Sequence, residues 1–222
     1  MSHVLIIGAS RGIGLELVRQ YLDAGDSVIA TARQDDDLAR LAEMGAKVLK
    51  VDVASPASIS GLSWHLDGES LDVALYVAGA LVGDPATIPP TRDAFDRVMH
   101  TNVMGLMQAI PQVMPMVEEA GGVFGAFSSS MSQIGNVPGS DGWLYRVSKA
   151  AVNMAVASAR FDYPKACMVA LDPGWVRTDM GGEGASLSVE ESVSGLRKTI
   201  AGLTLQDSGG LFHHDGQAAS TW

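Results

Sequence analysis

Short runs of apolar and β-branched residues alternate along the chain with longer stretches whose apolar positions recur every three or four residues. A uniformly apolar run of this length suits a strand covered on both faces, and the longer period suits a helix with one buried side. The pattern predicts strands at His3–Ile7, Ser27–Thr31, Lys47–Val51, Leu71–Val77, Val123–Ser128 and Ala166–Leu171, and a weaker one at Gly210–Phe212. Helices are expected at Gly12–Ala24, Asp35–Met44, Pro56–Leu66, Arg92–Glu119, Trp143–Phe161 and Val189–Gly202. Pro111 and Pro115 fall inside the fourth of these, where missing N–H donors should bend or split it. Strand and helix in alternation imply an α/β fold, a doubly wound parallel sheet of about seven strands with helices on both faces. No repeat or linker interrupts residues 1–222, so a single domain is expected.

The first strand runs directly into a glycine cluster, Gly8-Ala-Ser-Arg-Gly12-Ile-Gly14, which opens the first helix. Glycines there permit a tight turn and close backbone approach, and the free N–H groups of the helix start attract a diphosphate. An ordinary strand-to-helix turn would not need three of them. Farther on, Tyr145-Arg-Val-Ser-Lys149 sets a phenol and an ammonium on one helix face. A tyrosine holds its proton up to a pH of about 10, so a nearby cation is the natural means of making that proton transferable.

Charge and composition narrow the partners. The formal net charge is −10 with the acidic residues scattered, which argues against nucleic acid or an anionic membrane surface. No run approaches the roughly 18 apolar residues of a membrane helix, and no charged-then-apolar leader precedes the first strand. The lone Cys167 has no internal disulfide partner, which fits a reducing, cytoplasmic setting. His213-His214 lacks acidic or thiol companions at metal spacing and reads as a polar turn, so no metal is expected.

Taken together, the spacing of Gly8, Gly12 and Gly14, Asn102 within Thr101–Gly105, the hydroxyl-ended strand Gly122–Ser129, the Tyr145/Lys149 pair and the run Asp172–Met180 resemble the short-chain dehydrogenase/reductase family over nearly the whole chain. Pro173–Gly182 and the Asp215-Gly216 stretch with Trp222 are similar to its C-factor-like short branch. The resemblance implies a Rossmann-type fold and an oxidoreductase that moves hydride between a nicotinamide and a small or medium carbonyl or alcohol. It implies Asn102 organising a water-linked proton relay, Ser129 holding the substrate oxygen, Tyr145 exchanging the proton, and Lys149 tuning it and binding the nicotinamide ribose. It assigns to the cofactor Gly8, Ser10, Arg11, Gly12, Ile13, Gly14, Arg33, Asp52, Val53, Ala78, Gly79, Pro173, Gly174, Val176 and Thr178, besides Tyr145 and Lys149. The chain departs from the family at Val77, where an asparagine usually precedes Ala-Gly, which puts one sheet-stabilising hydrogen bond in doubt.

Two choices stay open at this point. The second strand ends without an acidic residue before Asp35, and Arg33 with Arg11 suits a ribose 2′-phosphate, favouring NADP(H) over NAD(H). Asp35–Asp37 bring opposing charge nearby, but also fit the first turn of the next helix. Among the serines after the fifth strand, counting from the strand selects Ser129 and counting back from Tyr145 selects Ser132; the strand is the firmer ruler, because the Met131–Trp143 loop absorbs length. The substrate pocket is expected among Ala80–Pro90, Ser130–Trp143 and Met180–Ser188, open to solvent, with Trp143 and Met180 as an apolar wall. Met99, Met104, Met107, Met114 and Met116 suggest helix packing, and the resemblance implies a homodimer or homotetramer paired through this Met-rich helix and Trp143–Phe161. The competing reading is a non-catalytic NADP(H)-binding sensor or signalling protein on the same fold.

Overall fold

The computed structural model describes residues 1–222. Seven strands form one parallel sheet: β1 (His3–Ile7), β2 (Ser27–Ala32), β3 (Lys47–Lys50), β4 (Val73–Tyr76), β5 (Val123–Phe127), β6 (Cys167–Asp172) and β7 (Leu211–His213), in the order β3-β2-β1-β4-β5-β6-β7. Between them lie α1 (Gly12–Asp23), α2 (Asp35–Glu43), α3 (Pro56–Ile59), α4 (Leu62–His65), α5 (Arg92–Met99), α6 (Gly105–Ala120), α7 (Trp143–Ala159) and α8 (Val189–Gly202). No helix is long and apolar enough to cross a membrane.

The apolar strands divide their residues between two layers, because successive side chains point to opposite faces. Leu5, Ile7 and Ile29 pack with Leu106, Val113, Val117 and Val152 from α6 and α7. Val4, Ile6, Val28 and Ala30 pack with Leu17, Val18, Leu196 and Ile200 from α1 and α8. A fully buried Leu or Ile contributes about 1.5–3 kcal/mol, so these two layers dominate the stability of the sheet.

Local chemistry corrects three of the predicted helices. The stretch 56–66 forms two short helices divided at Ser60-Gly61, the first capped by Ser55, whose side chain accepts from Ser58 N–H. The helix expected over 92–119 is interrupted at His100–Met104, which forms a π turn, and α6 runs unbroken through Pro111 and Pro115. Both prolines face solvent, where water can serve the carbonyls they leave free. Beyond Ala159, the last turn of the α7 segment tightens into a 3₁₀ turn at Arg160–Asp162.

At the carboxyl end of β4, Val77 and Ala78 both donate backbone N–H groups to Ile7 O, at 2.9 and 3.0 Å. Main-chain bonds thus tie this strand end to β1 without an asparagine side chain.

Candidate active site

The glycines are required by packing. Gly8 has φ +95°, and a Cβ there would lie 2.7 Å from Ala78 N; a Cβ on Gly14 would lie 2.1 Å from Gly8 O. The turn therefore folds tightly under the start of α1, whose N-cap, Arg11, makes no side-chain cap hydrogen bond. The first-turn N–H groups are left to an outside acceptor, which fits the diphosphate of a dinucleotide.

The arginines around this cradle divide. Arg33 is exposed at the end of β2. Arg11 is committed to Asp179, with Nη1 2.7 Å from Oδ2, and so spans from the glycine turn to the loop after β6. Arg40, missed in the sequence, donates through Nη2 to Ser10 O and to Asp37 Oδ1. Asp35 pairs with Lys50 at 2.7 Å and Asp37 with Arg40, so two of the three first-turn carboxylates of α2 have cationic partners.

Of the other expected cofactor residues, Asp52 accepts from Ala54 N–H, and Val53 is buried beneath Gly105. Thr178 approaches Gly12, while Val176 pairs with Leu187 in an isolated bridge behind the Pro173–Thr178 loop.

The carboxyl ends of β5 and β6 meet α7, and there the chemistry collects. Tyr145 and Lys149 are both buried, with the Lys149 ammonium 5.6 Å from the tyrosine ring centroid. Lys149 Nζ donates to Phe127 O at 2.6 Å and has no carboxylate partner. Burial lowers its pKa from 10.5 to about 8.

Tyr145 moves the other way. Burial pushes its pKa up to about 12, hydrogen bonding from the Ser129 hydroxyl draws it down, and the Asp172 carboxylate raises it. The expectation is that Lys149 makes this proton transferable; in the ligand-free protein burial is the largest influence on the phenol.

Ser129 and Ser132 have different surroundings. Ser129 Oγ accepts from Met131 N–H at 3.1 Å, and its hydroxyl is a lowering influence on the Tyr145 pKa. Ser132 is buried; it donates to Ser129 O at 2.5 Å and accepts from Asn153 Nδ2 at 2.8 Å. Asn153 in turn accepts from Ser128 Oγ at 2.5 Å, so a closed polar chain fastens the end of β5 to α7. Nothing local in the sequence singles out Asn153.

Asn102 lies in the π turn with all its amide positions engaged inside the protein. Its Oδ1 accepts from Ala80 N–H at 2.7 Å, while Nδ2 donates to Ala80 O and Ser148 Oγ, each at 2.9 Å. Tyr76 Oη donates to Thr101 O at 2.7 Å, which satisfies a carbonyl of the same turn. Asn102 Oδ1 and Lys149 Nζ both face Gly79, where a Cβ would lie 3.7 and 3.6 Å from them. The expected relay residue is thus first a clamp on the backbone after β4.

Around the phenol, Gly142 N–H donates to Gly83 O, joining two of the three expected pocket segments. Trp143 is half-buried, while Met180 and Trp175 are exposed on the third side. Tyr145 is only 7% exposed. A separate cavity of about 420 Å³ lies between β7, Arg160 and residues 218–222, and none of the expected site residues lines it. His213 does not sit in a polar turn; it ends β7, and its Nδ1 lies 2.8 Å from Asp172 Oδ2.

A family model described as short chain dehydrogenase matches residues 2–186. A 1-hydroxy-2-glutathionyl-2-methyl-3-butene dehydrogenase of Rhodococcus sp. (strain AD45) is 34% identical over 225 residues, covering 97% of this chain and 98% of that protein. The C-signal protein of Myxococcus xanthus is 36% identical over 125 residues, 54% of this chain and 74% of that protein. Among solved structures, an NADPH-bound carbonyl reductase from chicken fatty liver matches with a TM-score of 0.89 at 28% identity, over 100% of this chain and 99% of that one.

Proposed function

The chain belongs to the short-chain dehydrogenase family, and on that premise we propose that it is an NADP(H)-dependent carbonyl reductase with Tyr145 as its proton donor. The observation that carries this reading is the buried Tyr145/Lys149 pair on α7, with the Lys149 ammonium 5.6 Å from the phenol ring and facing, with Asn102 Oδ1, the bare backbone of Gly79. A nicotinamide dinucleotide supplies the hydride. Ser129 donates a hydrogen bond to the carbonyl oxygen, Tyr145 gives that oxygen its proton, and Lys149 stabilises the phenolate left behind. Asn102 holds Ala80, at the backbone that follows β4.

NADP(H) is favoured because β2 ends in exposed Arg33 with no carboxylate in the position that would hold a ribose diol. The carbonyl reductase from chicken fatty liver was solved with NADPH. The substrate class is a small or medium aldehyde or ketone, or the matching alcohol, held against Trp143 and Met180. The name of the Rhodococcus relative places an alcohol bearing a glutathionyl group in the panel to be tried. Phe95, Met104, Met107, Val147 and Met154 leave an apolar surface along α5, the π turn and α6–α7, the face assigned to a homodimer or homotetramer contact.

The test is NADPH and NADH oxidation against a carbonyl panel, with NADPH binding followed separately by fluorescence. Tyr145→Phe should bind NADPH within a few-fold of wild type and lose turnover by a factor on the order of 10²–10⁴. Full turnover by that variant would refute the role of Tyr145. Tight NADPH binding with no turnover of any carbonyl would favour the sensor reading.

A further inference from the structure

Hydrogen bonds hold the glycine turn against the end of β2. Gly8 N–H donates to Thr31 Oγ1 at 3.1 Å, and Ala9 N–H to Thr31 O at 2.8 Å. Ser10 leads away from this contact on one chain segment and Arg33 on the other, both at the carboxyl edge of the sheet. In a doubly wound fold that edge receives a dinucleotide, with the diphosphate on the glycine turn and the adenosine ribose toward the end of the second strand.

Arg40 reaches the same place from α2. Leu41 is fully buried and Leu38 packs against the same core, which fixes the rotation of this helix. Arg40 then shares a flank of α2 with Asp37, one turn earlier. Its Nη2 donates to Ser10 O and to Asp37 Oδ1, the latter at 2.8 Å. Both bonds use one nitrogen of a half-exposed guanidinium, so Nε and Nη1 remain free to meet an outside acceptor.

We propose that Arg40 is a specificity-determining residue for the cofactor: with Arg33 it holds the ribose 2′-phosphate that separates NADP(H) from NAD(H), and Asp37 is the carboxylate that this phosphate displaces. The proposal rests on the reading of the chain as NADP(H)-dependent. Arg11 is the arginine that the glycine turn itself offers, yet it is drawn away to Asp179 on the loop after β6. Arg40 is directed at the turn, through Ser10, on the side where the turn meets β2. A guanidinium fork matches the spaced oxygens of a phosphate, and an exposed ion pair such as Asp37–Arg40 holds its arginine weakly enough for a dianion to take it over. Of the neighbouring charges, Asp35 is paired with Lys50 at 2.7 Å, so neutralising Asp37 relieves the opposing charge in direct contact with Arg40.

The test is calorimetric binding of two probes that differ only in the 2′-phosphate, adenosine 2′,5′-bisphosphate and 5′-AMP, with NADPH and NADH binding followed by fluorescence. Arg40→Gln should weaken the bisphosphate and NADPH about tenfold or more, and 5′-AMP and NADH by less than about 2-fold. If Arg40 only ties α2 to the glycine turn, all four ligands should weaken alike, because that turn serves the diphosphate of both cofactors. Equal losses, or no loss, therefore overturn the proposal. Asp37→Asn removes the competing charge and should tighten the bisphosphate about 3-fold without moving 5′-AMP. Unchanged or weaker bisphosphate binding by that variant overturns the displacement of Asp37. If Arg40→Gln does not fold, Arg40→Lys keeps the charge without the fork: a loss confined to the bisphosphate and NADPH supports the proposal, and a loss shared by all four ligands, or none, overturns it. A wild-type protein that binds the bisphosphate no better than 5′-AMP overturns the NADP(H) reading itself, before any variant is made.

Discussion

Replacing Lys149 by methionine should stabilise the ligand-free protein while destroying its catalysis. The side chains are similar in length, and the change removes an ammonium that is buried with only Phe127 O as partner. Burial lowers the lysine pKa from 10.5 to about 8, so at neutral pH the folded state holds this proton at a cost of about 3 kcal/mol relative to the unfolded chain. Losing the hydrogen bond to Phe127 O returns about 1 kcal/mol of that, leaving Lys149→Met more stable by roughly 2 kcal/mol. The sign with pH follows from which state binds more protons. Between about 8 and 10.5 the unfolded chain does, so wild type gains stability relative to the variant as pH rises through that window. The wild-type penalty falls to about half by pH 9.5, where the two proteins should be nearly equal, and the order should reverse above 10.5. Urea unfolding of ligand-free protein, followed by tryptophan fluorescence at pH 7 and pH 9.5, measures both points. A variant less stable than wild type at pH 7, or a difference that ignores pH, would refute the reasoning.

Ser129→Ala should lower turnover by about 2–4 kcal/mol in transition-state terms with little loss of stability, whereas Ser132→Ala should lower unfolding stability by about 1–3 kcal/mol and turnover less, because it strands Asn153 Nδ2 and frees Ser129 O. Kinetics and urea unfolding on both variants decide it, and the opposite pattern would give the catalytic role to Ser132. Arg33→Ala should raise the NADPH KM about tenfold or more and leave NADH nearly unchanged; equal effects on both would remove the 2′-phosphate from its role.

What local pattern determines was legible. Most of the seven strands follow from runs too apolar to be anything but doubly covered, β3 with its terminal lysines and the short β7 being the weakest cases, and the glycine turn and the Tyr145/Lys149 face follow from spacing. The discrepancies arise where a side chain elsewhere decides the matter. Leu71 and Val77 are as apolar as their neighbours, yet they lie outside β4; Leu71 N–H goes to Met116 O and Val77 N–H to Ile7 O. The helix break at His100–Met104 carries no proline, and it is met by Tyr76 and by the backbone at Ala80, both far away in sequence. Arg11–Asp179, Arg40–Ser10, Ser132–Asn153 and Asp172–His213 are pairs that only the folded sheet brings together.

Those pairs also explain why the site cannot be judged by residue type alone. Tyr145 and Lys149 stand at the spacing that suggests a cation lowering a phenol's pKa, yet both shift toward their neutral forms because both are buried. In the ligand-free protein, Lys149 is therefore a liability to folding. The charge that weakens the fold is the same one that would stabilise a phenolate once Tyr145 has given up its proton. Stability and turnover thus make opposite demands on one nitrogen atom, and a variant with the stronger fold and no activity is the combination that separates a catalytic lysine from a surface lysine that happens to lie near a tyrosine.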